Sequence, residues 1–429
     1  VTPSPSLSPS TVPAETPSAA TSATATPTAT PSATPSATPS ATPSATPSAS
    51  ASPTKPTAAP TAADHFFLTG AMTTARARNT ATLLRDGRVL IVGGSAGGWG
   101  SASLKSAELY NPATGKFSLT GSMQVARAGH TATMLKDGRV LVAGGHSTDL
   151  GGQWIAPTTH FPDMGLPLAS AEIYDPATGK FSPTGSMIAA RDSQTATLLR
   201  DGRVLVAGGF DCSALTSCDG VGSAELYDPA TGHFSLTASP QEYVDPHAAV
   251  LLGDGRVLLV GSTEMALYDP ATGTFSGSTS PPTTYGPVSL LKNGRVLRTG
   301  GYGFRPGFAS VLFAAAEVFV PSTGKFSPTG SMKKGRSGHS STLLSDGRVL
   351  VAGGGDTERC RAHSCSSADL GSAELYDPAT GRFSLAPSMK VGRYDHTATL
   401  LGNGRVLITG GHAGSVDGHA LSSAELYGR

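Results

Sequence analysis

A chain of 429 residues with a formal net charge of +1 has no broad electrostatic field for nucleic acid or an anionic membrane surface. No apolar run approaches the ~20 residues that a membrane-spanning helix needs. Glycine is abundant, with 53 copies, and no stretch carries a long helical apolar period, so the chain reads as all-β and rich in turns.

The first 63 residues are a different material from the rest. Their middle is a tetrad, Thr30-Pro31-Ser32-Ala33, repeated through Ser48. With almost no charge and no aromatic residue such a segment cannot bury a core, and its prolines favour extended polyproline II. At ~3.1 Å per residue it reaches on the order of 200 Å. Dense Ser and Thr beside Pro is the composition of O-glycosylated stalks. Thr30, Ser32, Thr34, Ser36, Thr38, Ser40, Thr42, Ser44, Thr46 and Ser48 are the candidate positions, and the chain has no N-x-[ST] sequon. The outermost stretch, Val1 to Pro17, breaks the tetrad and carries Val1, Leu7 and Val12, which would serve as anchors if this peptide docks on another copy. The plain alternative is a spacer to a cell wall or a neighbouring domain. A chain that opens at Val1 without Met reads as processed and secreted. The expected location is therefore extracellular, free or attached to a cell surface.

Residues 64–429 open with Phe66-Phe67-Leu68-Thr69-Gly70-Ala71-Met72, which reads as a strand without partners before it. One phrase then recurs, clearest from His130 to Met187. Its core, DGRV or NGRV, stands at Asp86, Asp137, Asp201, Asp254, Asn293, Asp346 and Asn403, near the period of about 50 of one repeat class. Each copy reads as four short strands. In the second copy strand a is HTATML, Lys136-Asp137-Gly138 turns the chain, strand b is RVLVAGG, strand c is SAEIYDP, and strand d is KFSPTGSM. Glycine frees the first turn, and Asp175-Pro176-Ala177-Thr178-Gly179 makes the second.

The paired glycines after strand b, the aromatic of strand c and the Arg-x-x-His before strand a resemble the kelch repeat. The pattern over 66–429 is similar to bacterial secreted kelch proteins and to the propeller domain of galactose oxidase. The resemblance implies a seven-bladed β-propeller. The last copy, His396 to Tyr427, stops after strand c, so Phe66–Met72 is expected to supply the missing strand d and close the ring.

Two series of charged residues run through the copies. Arg76, Arg127, Arg191, Arg336 and Arg393 precede strand a, and Glu108, Glu172, Glu225, Glu317, Glu374 and Glu425 lie on strand c. The fourth copy has Val244 and Ala266 and lacks both. The fifth keeps Glu317 and offers Arg298 on strand b. A lone buried charge is costly, so the expectation is one structural ion pair in each blade but the fourth. His130, His247, His339 and His396 fill another repeated position, held elsewhere by Asn79 and Gln194. That recurrence argues for scaffold.

The a–b and c–d turns belong to one face of the disc, the turn face. The d–a and b–c connections belong to the other, the loop face, and hold nearly all the variation. There stand Trp99, then His146, Trp154 and Phe161, then Tyr302, Phe304 and Phe308. Exposed aromatics suit an interaction face for protein, glycan or a neighbouring tail; packing within their own loops is the alternative. Cys212 with Cys218 and Cys360 with Cys365 each share one insert, so local disulfides are expected among the three possible connectivities. They fit an extracytoplasmic compartment.

Galactose oxidase-like enzymes hold copper with two tyrosines, two histidines and a Cys–Tyr crosslink. Here the loop pairs leave no cysteine to crosslink, and no acid/base pair, nucleophile elbow or phosphate loop is visible. The expectation is a non-enzymatic extracellular structural protein without cofactor or metal. Its propellers would join head-to-tail into a surface filament, each tail docking on the next copy. The alternative is a monomeric adhesion propeller that binds glycan or protein from a glycosylated stalk.

Overall fold

The DGR turn is built by its own side chains. In the second repeat Gly138 takes φ 95°, Arg139 N donates to Asp137 Oδ1 at 2.9 Å, and Arg139 Nε donates to Oδ2 at 2.7 Å. The c–d turn uses the same device. Ala177 N donates to Asp175 Oδ1 at 2.9 Å, and Gly179 closes the turn at φ 68°. Each turn thus satisfies its own backbone and leaves the flanking apolar runs free to pair as strands.

The computed structural model describes residues 64–97, 101–149, 165–212, 219–239, 247–261, 264–278, 285–303, 311–356, 360–361, 364–365, 368–414 and 418–429. Seven four-stranded antiparallel sheets form the blades of a propeller. Blade 1 runs a (Thr80–Leu83), b (Val89–Val92), c (Ala107–Asn111) and d (Lys116–Leu119). Blades 2 to 6 repeat that order over 131–183, 195–236, 248–278, 288–328 and 340–386. Blade 7 takes a, b and c from Thr397–Leu400, Val406–Thr409 and Ala424–Gly428. Its strand d is His65–Leu68, with Phe66 opposite Tyr427 and Leu68 opposite Glu425.

Strands are shorter than the sequence suggests. Strand b of blade 2 ends at Ala143 because Gly144 and Gly145 take φ 63° and 83°. The outer strand of blade 7 stops at Leu68 rather than Met72. Beyond it Gly70 N donates to Gly115 O of blade 1, and the chain has already left for the next blade.

The core lies between blades. Leu90 and Val92 of blade 1 pack on Val140, Val142 and Tyr174 of blade 2, and the other junctions repeat this. Full burial of each such side chain contributes about 1.5–3 kcal/mol. Five junctions add a hydroxyl pair, such as Thr120 Oγ1 to Tyr174 OH at 2.9 Å.

Cys212 is disulfide-bonded, and Cys218 lies outside the described residues. Cys360 and Cys365 oppose one another in a two-stranded ladder.

Candidate functional site

Blade 2 shows the clamp that holds the loop face in place. Arg127 is fully buried. Its Nη1 donates to Gly144 O and Ser170 O, both at 2.9 Å. Its Nη2 donates to Ser170 Oγ at 3.1 Å and Glu172 Oε1 at 3.2 Å. Glu172 also accepts from the amides of Gln124 and Val125, at 2.9 and 3.2 Å. The carboxylate therefore ties the arginine to the d–a connection. Equivalent pairs are Arg76–Glu108 at 2.8 Å, Arg191–Glu225 at 2.7 Å, Arg336–Glu374 at 3.0 Å and Arg393–Glu425 at 3.2 Å. In blade 5 Arg298 comes from strand b, bonds Glu317 directly across the sheet and lies over the Phe326 ring. In blade 4 Ala266 is buried, and Val244 lies outside the described residues. Sequence reasoning missed the serine that shares each guanidinium, Ser106, Ser170, Ser223, Ser372 and Ser423. Its constant place before Ala-Glu was the available signal.

Two residues after each arginine the backbone turns left-handed, at Arg78 (φ 52°), Gly129 (65°), Ser193 (57°), Gly338 (62°) and Asp395 (50°). These residues are chained by their own amides: Ser193 N to Gly129 O, Gly129 N to Arg78 O, Arg78 N to Asp395 O, and Asp395 N to Gly338 O. The chain passes through blades 3, 2, 1, 7 and 6. The corresponding residue of blade 4 lies outside the described residues, and blade 5 departs from it. There Tyr285 N donates to Tyr302 O, the two rings stack at 4.5 Å and 9°, and His247 lies 5.2 Å from Tyr285. These elements enclose an axial cavity of about 600 Å³ on the loop face. Its wall is aromatic on one side. On the other, Arg78 Nε stands 3.9 Å from Asp395 Oδ2, each side chain about one-third exposed. Three non-glycine residues held left-handed at one cavity mouth cost on the order of 1–3 kcal/mol each. Backbone strain of this kind concentrates at functional sites.

The repeated imidazoles sit just beneath this ring. Nε2 of His130, His339 and His396 pairs with Thr80 Oγ1, Thr299 Oγ1 and Ser340 Oγ of the preceding blade, at 2.9, 3.0 and 3.0 Å. Each ring covers the first glycine of that blade's Gly-Gly pair. A Cβ on Gly93 would lie 2.8 Å from His130 Cε1, and one on Gly353 would lie 2.7 Å from His396 Cε1. Burial, then the neighbouring clamp arginine, pushes the pKa of these three histidines down to about 3. Burial pushes His247 down to about 4. All four are neutral at neutral pH.

Of the aromatic series expected on the loop face, Tyr302 is exposed at the cavity. His146 is not an exposed contact residue, and that expectation is corrected. It is buried, with Nδ1 3.1 Å from Asp192 Oδ2. The reason is its place directly after the glycine pair, where its amide and carbonyl both bond Ala128. Trp99, Trp154, Phe161, Phe304 and Phe308 lie outside the described residues, as do Val1, Leu7, Val12 and the glycosylation candidates from Thr30 to Ser48. Arg78, Ser193, Asp395 and Tyr285 were missed. Their signal was variation at a repeated position that Gly129 and Gly338 fill in other blades.

The Kelch motif family matches residues 76–124, which span the blade 1 clamp and all four of its strands. The chain is a seven-bladed β-propeller with a kelch motif. No curated protein matches it. A solved structure described as a novel fungal alcohol oxidase with catalytic diversity among the AA5 family, in complex with copper, is similar over 85% of this chain and 75% of that chain. The TM-score is 0.62 and the identity 20%. At that identity the likeness is one of fold. Among the described residues no three His, Cys, Asp or Glu side chains converge as metal ligands.

Proposed function

We propose that this propeller is a non-enzymatic extracellular structural module that assembles head-to-tail. The proline-rich tail of one copy seats in the axial cavity of the next. The observation that carries this reading is the stacked Tyr285–Tyr302 pair in the cavity wall. Polyproline II segments dock on aromatic-lined grooves because they arrive already extended and lose little entropy. The position of Asp64, the first described residue, supports the same reading. Asp64 lies on the turn face, 3.5 Å from Arg348 and 3.4 Å from Arg429, while the cavity opens on the loop face. Donor and acceptor on opposite faces make a heterologous contact, which propagates when it does not close. Val1, Leu7 and Val12 supply the apolar anchors, and O-linked sugars on Thr30 to Ser48 keep the spacer extended and soluble. The test is competition. A synthetic peptide of residues 1–17 should dissolve assemblies of the full chain, and Tyr302→Ala should prevent them. A peptide without effect, together with a Tyr302→Ala chain that assembles normally, would refute the reading.

One observation favours a second reading, a glycan-binding propeller. The Arg78–Asp395 pair is loosely matched and accessible, and it faces an aromatic platform, which suits a polyhydroxylated ligand. On that reading the protein is dispersed as single rings. It binds immobilised glycans, and Arg78→Ala and Asp395→Asn abolish that binding.

A further inference from the structure

Every blade ends at strand d, and beyond it no further strand is paired among the described residues. The register shows which backbone groups face outward. In blade 1 Thr120 N donates inward to Ala107 O at 3.1 Å, and Leu119 lies opposite Glu108. Alternation along an antiparallel pair therefore turns the N–H and C=O of Leu119 and Phe117 away from the sheet. Thr69, Thr184, Thr237 and Thr329 make the same inward bond. The residue equivalent to Leu119 is Leu68 in blade 7, Pro183 in blade 2, Leu236 in blade 3 and Pro328 in blade 5. By register it is Gly277 in blade 4 and Leu385 in blade 6. Proline has no N–H to offer, so the edges of blades 2 and 5 are blocked. Those of blades 7, 1, 3 and 6 are open, and there the leucines are 59, 62, 59 and 70% exposed. Six large apolar side chains are exposed among the described residues, and four of them stand at this one position. An open edge beside an exposed leucine is a template for a further strand.

The tail is patterned for such an edge. From Ser22 to Thr54 every even-numbered residue is Ser or Thr, and every odd-numbered one is Ala or Pro. The rule holds where the tetrad does not, at 22–29 and 49–54. The twelve prolines from Pro3 to Pro53 are all odd-numbered, and the parity changes only at Pro56 and Pro60, shortly before residue 64. A period of two has no counterpart in a threefold polyproline II helix. In a strand it sorts the hydroxyls onto one face and gathers every missing N–H on one edge. The other edge keeps the N–H of every even-numbered residue. Such a strand ends a sheet rather than extending it, because proline interrupts its far edge. The polyproline II and β regions of backbone space adjoin, so the change from one to the other is a modest turn of φ.

We infer that residues 22–54 of one copy add to the open strand d edges of another as an outer strand, their even-numbered N–H groups turned to the sheet. The inference rests on the head-to-tail reading in taking the tail of a second copy as occupant. It gives a place to the segment that follows Val1–Pro17. Residues 1–63 at ~3.3 Å each span on the order of 200 Å, enough to lie on an edge and leave 1–17 for the axial cavity. Strand d of blade 1 offers two outward residues, so a single edge holds the tail weakly. Several open edges and the axial contact share one tether, which raises the effective concentration at each.

The test is sedimentation velocity of the full chain with eight prolines added to the tail in either of two ways. The even set is Thr24→Pro, Thr28→Pro, Ser32→Pro, Ser36→Pro, Ser40→Pro, Ser44→Pro, Ser48→Pro and Ser52→Pro, which leaves no two successive even-numbered N–H groups between 22 and 54. The odd set is Ala25→Pro, Ala29→Pro, Ala33→Pro, Ala37→Pro, Ala41→Pro, Ala45→Pro, Ala49→Pro and Ala51→Pro, which leaves them all. Both sets stiffen the tail toward polyproline II. The even set should associate on the order of tenfold more weakly than the parent, and the odd set should match the parent. Alanine at the eight even positions removes the same hydroxyls, keeps the N–H groups and should also match it. On the propeller, Leu68→Pro, Leu119→Pro, Leu236→Pro and Leu385→Pro give four edges the residue that blades 2 and 5 already carry, and should weaken association to a similar degree. Leu68→Thr, Leu119→Thr, Leu236→Thr and Leu385→Thr keep the N–H groups and should not. The tail substitutions lie outside the propeller, so the even–odd comparison decides even where the edge variant misfolds. The proposal is overturned by a parent that does not associate, by equal effects of the two proline sets, or by an even set that assembles like the parent, as it would if each tail paired with its own propeller. Tyr302→Ala separates the two claims. If it abolishes association while the two proline sets behave alike, the axial reading stands and this one fails. If it assembles like the parent while the even set alone weakens association, the axial reading fails and this one stands.

Discussion

Tyr427 packs in the cluster that contains Ala386, and its buried hydroxyl has no partner. The equivalent hydroxyls of Tyr110, Tyr174, Tyr227, Tyr268 and Tyr376 each meet a threonine, Thr69, Thr120, Thr184, Thr237 or Thr329, within 3.0 Å. Burial, with Asp64 nearby, pushes the Tyr427 phenol up to about 12. Ala386→Thr should therefore stabilise the junction of blades 6 and 7 by about 1 kcal/mol, the net value of one hydrogen bond. Tyr174→Phe should cost about as much, whereas Tyr427→Phe should be neutral or better. Urea unfolding of the three variants reads all of this directly.

The clamps predict a steeper penalty. Arg127→Met leaves Glu172 buried with two amides and no cation, a loss of about 3–5 kcal/mol. Arg127→Met combined with Glu172→Leu removes both charges and should be less destabilising than Arg127→Met alone. A double variant that is worse than the single would contradict the assignment of the cost to an uncompensated charge.

Acid should weaken the ring through its imidazoles. His130, His339 and His396 hold pKa values near 3 in the folded chain, against about 6.5 when unfolded. Between those values the unfolded chain binds more protons, so stability is full above pH ~6.5 and falls as pH drops toward 3. The slope is at most about 1.4 kcal/mol per pH unit for each histidine. His396→Asn, the residue that Asn79 supplies in blade 1, should flatten the curve by one such contribution. Denaturant midpoints measured between pH 7 and pH 4 for parent and variant would show the difference.

The glycine pairs predict local intolerance. A Cβ on Gly353 would lie 2.6 Å from Arg393 O and 2.7 Å from His396 Cε1, at φ 69°. Gly353→Ala should therefore cost on the order of 2 kcal/mol or more. Gly222→Ala, where a Cβ meets nothing within 4 Å, should be tolerated. Thermal melts of both compare strain with its absence on the same loop face.

The fold was legible because the same local code is written seven times. The turn residues, the alternation of strands b and c and the missing last strand are all visible to the eye. The site was less legible, because it lies where the code is broken. Arg78, Ser193 and Asp395 occupy a left-handed position whose meaning emerges only when five blades converge on one axis. Tyr285 and Tyr302 are 17 residues apart and reveal nothing of their stacking in sequence. The exposure expected of His146 failed for a related reason. An insert reads as surface, yet its first residue is still bonded to the neighbouring turn.

The most direct measurement is electron microscopy of the full chain. The account predicts propellers joined head-to-tail, with the tail of each copy entering the axial cavity of the next. Dispersed single rings with empty axial cavities would contradict it.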